Sequence, residues 1–151
     1  MKWLSFNCRG MASASKKLAL HRLFDTNFVD IIMLQETLGD ADLITRYLES
    51  LKPGWNFYSL DTMGHSGGLA IGYNPCTIKV ISSWGGLGFI GMDIFLTELG
   101  MDLWIINIYR PCHRREDFSS KFLNLSITSY DHLVLGGDLN FSLGFGKSWG
   151  S

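Results

Sequence analysis

Val29-Asp30-Ile31-Ile32-Met33-Leu34-Gln35-Glu36-Thr37 is the stretch on which the fold turns. Its six residues from Val29 to Leu34 form an apolar run broken only by Asp30, too short for a core helix and right for a strand buried on both faces. A strand of that kind needs cover above and below, and it ends abruptly in an amide and an acid. The flanks supply the cover. Upstream, Ser13 or Ser15 can cap a helix reaching about Asn27, with Leu18, Leu20, Leu23 and Phe24 as its apolar positions. Downstream, Asp40 to Leu51 places Leu43, Ile44, Tyr47, Leu48 and Leu51 on one helical face, with acids near the start and Pro53-Gly54 as the stop. Before the first helix, residues 2–7 alternate like a strand.

Beyond Gly54 the pattern turns to strands. One is expected near 55–60, a turn over Met63 to Gly68, and a second strand at Leu69–Tyr73. Thr77–Ser83 continues the series, and 90–98 with 102–109 reads as a hairpin about Leu99-Gly100. A helix is expected over 115–127, and His132–Leu135 forms a short strand running into Gly136-Gly137-Asp138-Leu139-Asn140. A β-α-β-α opening followed by hairpins and a late α-β step implies an α/β protein with mixed sheets and helices outside. No repeat, low-complexity tract or linker interrupts it, so 151 residues make one domain's worth of chain.

Composition narrows the function. At 46% apolar and 18% charged residues the chain is too apolar to be disordered. Thirteen basic against fourteen acidic residues exclude a broad basic footprint of the kind that holds proteins to nucleic acid by charge alone. No run approaches the roughly 18 apolar residues of a membrane span, and the start is no signal peptide. Cys8, Cys76 and Cys112 are an odd set without metal-ligand spacing, which argues against a disulfide framework or a zinc site and for an intracellular, reducing compartment.

Four strand ends carry polar groups that packing does not call for: Asn7, Gln35-Glu36, Asn107 with Tyr109, and Asp138 with Asn140. In layered α/β folds ligands collect beyond strand ends, so these groups are expected to converge on one rim. A carboxylate there suits a hard cation that keeps most of its waters, such as Mg²⁺. Such an ion polarises a phosphoryl oxygen, and a second carboxylate orients water. Arg110, with His113, Arg114 and Arg115, adjoins Tyr109 and could meet phosphate; Lys16, Lys17, His21 and Arg22 form a second basic cluster. The five tryptophans read as packing, Trp149 excepted. Gly144-Phe-Gly-Lys-Ser148 lacks the spacing of a phosphate loop.

WLSFNCRG at the start, DIIMLQET at 30–37, SGGLAIGY at 66–73, INIYRP at 106–111 and VLGGDLN at 134–140 together resemble the endonuclease/exonuclease/phosphatase superfamily, the DNase I-like fold. Their order and wording look closest to the endonuclease domain of plant LINE-type (non-LTR) retrotransposons. The resemblance implies a four-layer α-β-β-α sandwich and a Mg²⁺- or Mn²⁺-dependent phosphodiesterase acting on DNA. It makes Glu36 the main metal-binding carboxylate and Asn7 its support at the metal and bound phosphate. Tyr109 becomes a phosphate contact, and Asp138 and Asn140 the pair that activates water and steadies the transition state. Arg110 and Asn107, from their place beside Tyr109, are weaker phosphate candidates. Ser66-Gly67-Gly68 corresponds to a structural turn.

The family pattern continues past the Asp-x-Asn motif into further strands and a late Asp-His motif, and His21, His65, His113 and His132 lie in no such motif. The expectation is therefore residues 1–151 as the N-terminal part of one such domain, an incomplete sandwich with an unpaired edge near 132–137, weakly stable and poorly active. Three alternatives stand beside the nuclease: a phosphatase of sugar, inositol or lipid phosphates, an inactive retroelement remnant, and an unrelated α/β binding module. By analogy the parent would be a longer reverse-transcriptase polyprotein, with the nucleus as a place of action.

Overall fold

The computed structural model describes residues 1–63, 66–110 and 129–140, together with 116, 118, 120, 122, 124 and 125. Its elements run β1 (Trp3–Asn7), α1 (Ala14–Thr26), β2 (Ile31–Gln35), α2 (Ala41–Leu51), β3 (Asn56–Met63), β4 (Ser66–Tyr73), β5 (Ile78–Gly86), β6 (Phe89–Leu96), β7 (Met101–Tyr109) and β8 (Leu133–Asp138). Ser13 caps α1 by accepting from the Lys16 amide, and Asp40 caps α2 by accepting from Leu43. Within the expected helix over 115–127, the described residues Glu116, Phe118, Ser120 and Phe122 are helical. Described helices include none long and apolar enough to cross a membrane.

Two four-stranded sheets face each other among the described residues, ordered β1-β2-β4-β3 and β5-β6-β7-β8. The parallel pairs, β1 with β2 and β7 with β8, each have an intervening stretch long enough to cross over, and the remaining pairs are antiparallel. Ile31, Met33 and Ile71 meet Ile90, Met92, Ile94 and Ile105 between the sheets. The opposite face of the first sheet, through Ile32, Leu34 and Ala70, packs on Leu20 and Phe24 of α1 and Ile44 and Leu48 of α2. Phe118 covers Phe89, Ile106 and Ile108 on the outer face of the second sheet. The layers thus follow the α-β-β-α order expected of a DNase I-like fold, and β2 is buried along its whole length.

Two helical expectations shift. Leu18 and Leu43 belong to the expected apolar faces but are 52% and 62% exposed; α1 and α2 bury Leu20 and Phe24, and Ile44 and Leu48, with Leu23, Tyr47 and Leu51 packed beside them. Among the described residues β8 pairs with β7, and its Leu135 is 49% exposed.

Candidate active site

β1 and β2 run parallel, so their C-terminal ends, Asn7 and Gln35-Glu36, emerge together, and Asn7 pairs with Gln35 in register. β7 and β8 repeat the arrangement in the other sheet, where Tyr109 pairs with Asp138. Glycine permits the approach of the two ends. A Cβ on Gly136 would overlap the Met33 sulfur of β2, and one on Gly137, at φ +137°, would collide with the Ile108 carbonyl.

The four ends converge. Asn7 Nδ2 donates to Glu36 Oε1 at 2.9 Å and to Asp138 Oδ2 at 2.8 Å, joining residues 131 positions apart. Two oxygens accepting from one nitrogen lie no more than about 6 Å apart, within the span of one hydrated ion and its phosphate. Asn7 Oδ1 accepts from the Arg9 amide at 3.0 Å, which fixes the side-chain amide and turns its nitrogen toward the acids. Asp138 Oδ1 accepts from the Asn140 amide at 2.9 Å, Arg110 N donates to the Asp138 carbonyl, and Asn140 Nδ2 donates to the Arg110 carbonyl at 2.8 Å. The last motif is thereby tied to the residue after Tyr109.

Backbone conformation marks the same rim. Arg9, Glu36, Leu38 and Asn140 have φ of 48°, 51°, 51° and 47°, a left-handed conformation uncommon for residues with a side chain. They are the described non-glycine residues with positive φ, and all sit in the loops that carry the polar groups. Cys8 and Gly10 amides donate to the Gln35 and Glu36 carbonyls, and Thr37 N to the Gly68 carbonyl, so Glu36 is held from both sides. Behind it the Cys8 thiol is pushed up to about 12, first by burial and then by the Glu36 charge, with Lys16 opposing.

One expectation needs correction. Asn107 is fully buried between the sheets, where Oδ1 accepts from Gln35 Nε2 at 2.7 Å and Nδ2 donates to the Leu34 and Ala70 carbonyls, so no side-chain polar atom remains for a phosphate. Asn7 turns Nδ2 toward both carboxylates while Oδ1 accepts from the Arg9 amide, so in this arrangement it bridges the two acids. Tyr109 is 5% exposed and belongs to the inter-sheet core, with the end of β7 as its position. Arg110 Nε is buried and makes no hydrogen bond among the described residues.

The first-helix basic cluster is engaged locally. Lys16 Nζ donates to the Arg9 carbonyl, Lys17 lies 4.8 Å over the Tyr47 ring, and His21 pairs with Asp25 at 2.7 Å. His132 precedes β8 and so sits at the end opposite Asp138. Cys8 and Cys76 are free thiols. His65, Cys112, His113, Arg114, Arg115 and Trp149 lie outside the described residues.

As a donor set for a divalent ion, Glu36 and Asp138 supply two hard carboxylates; among the described residues no three His, Cys, Asp or Glu side chains form a cage. Such a set does not suit zinc, which takes three or four protein ligands. It fits an ion such as Mg²⁺, held by one or two carboxylates and completed by water and substrate phosphate.

The sequence pattern of the Endonuclease/Exonuclease/phosphatase family matches residues 4–150. No curated protein sequence matches the chain. Among solved structures, humanized Danio rerio TDP2 is similar at 14% identity and a TM-score of 0.72, over 92% of this chain and 62% of that one. The Bacteroides thetaiotaomicron mannosyl-6-phosphatase is similar at 12% identity and 0.66, over 91% and 64%. The endonuclease domain of TRAS1, a telomere-specific non-LTR retrotransposon, is similar at 16% identity and 0.64, over 93% and 61%. At these identities the likeness is one of fold, and the chain spans about three fifths of each structure's length.

Proposed function

Because the chain belongs to the endonuclease/exonuclease/phosphatase family, we propose that its polar rim is a Mg²⁺-dependent phosphodiester-hydrolysing site for DNA. One observation carries the reading: a single Asn7 amide nitrogen bridges Glu36 and Asp138, contributed by different sheets. Divalent-metal dependence is general in the family. Glu36 would hold the ion, with Asp138 beside it, and the bound ion would supply Lewis-acid polarisation of a phosphoryl oxygen.

The chain's own residues do the rest. Asn7 keeps both carboxylates aimed at one point and shares their charge through two hydrogen bonds. Asp138, with Oδ1 fixed by the Asn140 amide, is placed to orient a water and accept its proton at Oδ2. Asn140 and the Arg110 backbone close the loop around that acid, and Arg110 is a candidate cation to meet a phosphate. Protonation of the leaving oxygen has no described histidine to perform it, since His21 and His132 both lie elsewhere.

DNA is favoured over a phosphorylated sugar because the five ordered motifs read most like retroelement endonucleases, and the plant LINE branch is our finer placement. The test pairs nicking of supercoiled plasmid with Mn²⁺ titration followed by electron paramagnetic resonance. Saturable Mn²⁺ uptake and metal-dependent nicking, both lost in Glu36→Gln, are the expected result. Nicking that survives Glu36→Gln or chelation would overturn the reading.

A further inference from the structure

The amide pair Gln35 and Asn107 has no place in the chemistry above, yet it occupies the centre of the molecule directly beneath it. Gln35 is 1% exposed and Asn107 0%, among the few polar side chains buried in the described core. Gln35 Nε2, from the first sheet, donates to Asn107 Oδ1 of the second at 2.7 Å, and it also approaches Ser5 Oγ at 3.1 Å and the Met33 carbonyl at 3.2 Å. Asn107 Nδ2 returns across the gap to the Leu34 carbonyl at 2.9 Å and the Ala70 carbonyl at 3.0 Å. Apart from the Asn7–Asp138 bond at the rim, the core between the sheets is built mainly of Ile, Leu, Met and aromatic side chains, whose packing is largely non-directional and tolerates sliding. Hydrogen bonds do not tolerate it.

We propose that Gln35 and Asn107 are positioning residues: an inter-sheet amide clamp that fixes the height of the β2 end against the β7–β8 end, and so holds Glu36 and Asp138 on one Asn7. The placement supports this. Gln35 immediately precedes Glu36, while Asn107 stands two residues before Tyr109, whose partner across the ladder is Asp138. A slip of about 1 Å between sheets would break one of the Asn7 bonds, and misplacements of that size are costly to catalysis. Burying two amides costs stability unless both are satisfied, so retaining them here in place of a packed apolar pair fits a demand for register. The inference rests on the proposed site, and its test separates the two.

In the full chain, Asn107→Leu and Gln35→Met are compared with Ile90→Val, a deletion in the same inter-sheet core. The readouts are the ¹⁵N NMR signals of the Asn7 side-chain amide and Mn²⁺ affinity. Positioning predicts that both amide variants shift the Asn7 signals and weaken Mn²⁺ about tenfold or more, while Ile90→Val lowers stability and moves neither. Unchanged Asn7 signals in folded amide variants, or equal changes in Ile90→Val, would overturn the clamp. Should Asn107→Leu fail to fold, Gln35→Met decides alone, since it leaves the Asn107 bonds to Leu34 and Ala70 in place. Should the wild type take up no Mn²⁺, the proposed site falls, and the Asn7 signals still decide the clamp.

Discussion

β2 and β8 perform the same task in opposite sheets, and they are supported very differently. Each ends by delivering a carboxylate to Asn7. β2 is flanked by β1 and β4 and packed above and below, with every residue buried. Among the described residues β8 has β7 on one side, alternates largely between half-buried and exposed residues, and depends on Gly136 and Gly137 to approach the rest. One half of the site is therefore built into the core, and the other half is held by one described ladder, its loop bonds, and the packing of Leu133, Val134 and Gly136. Site geometry and strand stability need not come from the same contacts.

The largest effects should show that the two ends are chemically equal. Glu36→Gln and Asp138→Asn are each expected to reduce metal-dependent cleavage by roughly 10²–10³-fold, the scale of losing one preorganised electrostatic group. Plasmid nicking at saturating Mg²⁺ measures both. A neutral Asp138→Asn would break the symmetry and leave β2 as the sole bearer of the chemistry.

Stability should divide where chemistry does not. Ile32→Ala, at a fully buried β2 position, is expected to cost about 2–5 kcal/mol. Leu135→Ala on β8, half exposed, should stay within roughly 0.5 kcal/mol. Urea denaturation of the two variants gives the comparison directly, and equal losses would mean that β8 is covered as well as β2.

That asymmetry was partly readable in the amino-acid order. The apolar run Val29–Leu34 announced a strand buried on both faces, and five motifs announced which strand ends would meet. Side-chain phase was not readable in Ile105-Ile106-Asn107-Ile108-Tyr109, because isoleucines stand on both faces of β7 and no alternation marks Asn107 as inward. The same holds for Gln35, whose fully buried strand has no polar side to contrast with. Exposure of Leu43 escaped for a related reason: a helix shows its apolar stripe in sequence, but the neighbouring sheet decides how wide a stripe it seats.

A sharper probe of β8 is Gly137→Ala. Its φ of +137° and the collision of an added Cβ with the Ile108 carbonyl leave the new side chain no room. An expected loss of about 1–3 kcal/mol would show that β8 is poorly covered yet tightly specified next to Asp138. A neutral Gly137→Ala would mean that β8 can settle in another register without penalty.

The smallest effect reports on the β2 end through pH. Cys8 packs beneath Glu36, and burial followed by the Glu36 charge raises its thiol from 9.0 to about 12. In the unfolded chain the thiol ionises near its ordinary value, while in the fold it stays protonated. The unfolded state therefore loses a proton first, so the contribution is whole below pH 9 and drains away as pH climbs toward 12. Between pH 8 and pH 10 the wild type should lose about 1 kcal/mol more than Cys8→Ala, measured by urea denaturation at both values. Glu36→Gln should shrink that difference without abolishing it, because burial is the larger cause and the charge the smaller. Identical slopes for wild type and Cys8→Ala would mean that water reaches the thiol, and that the β2 end is no better sealed than β8.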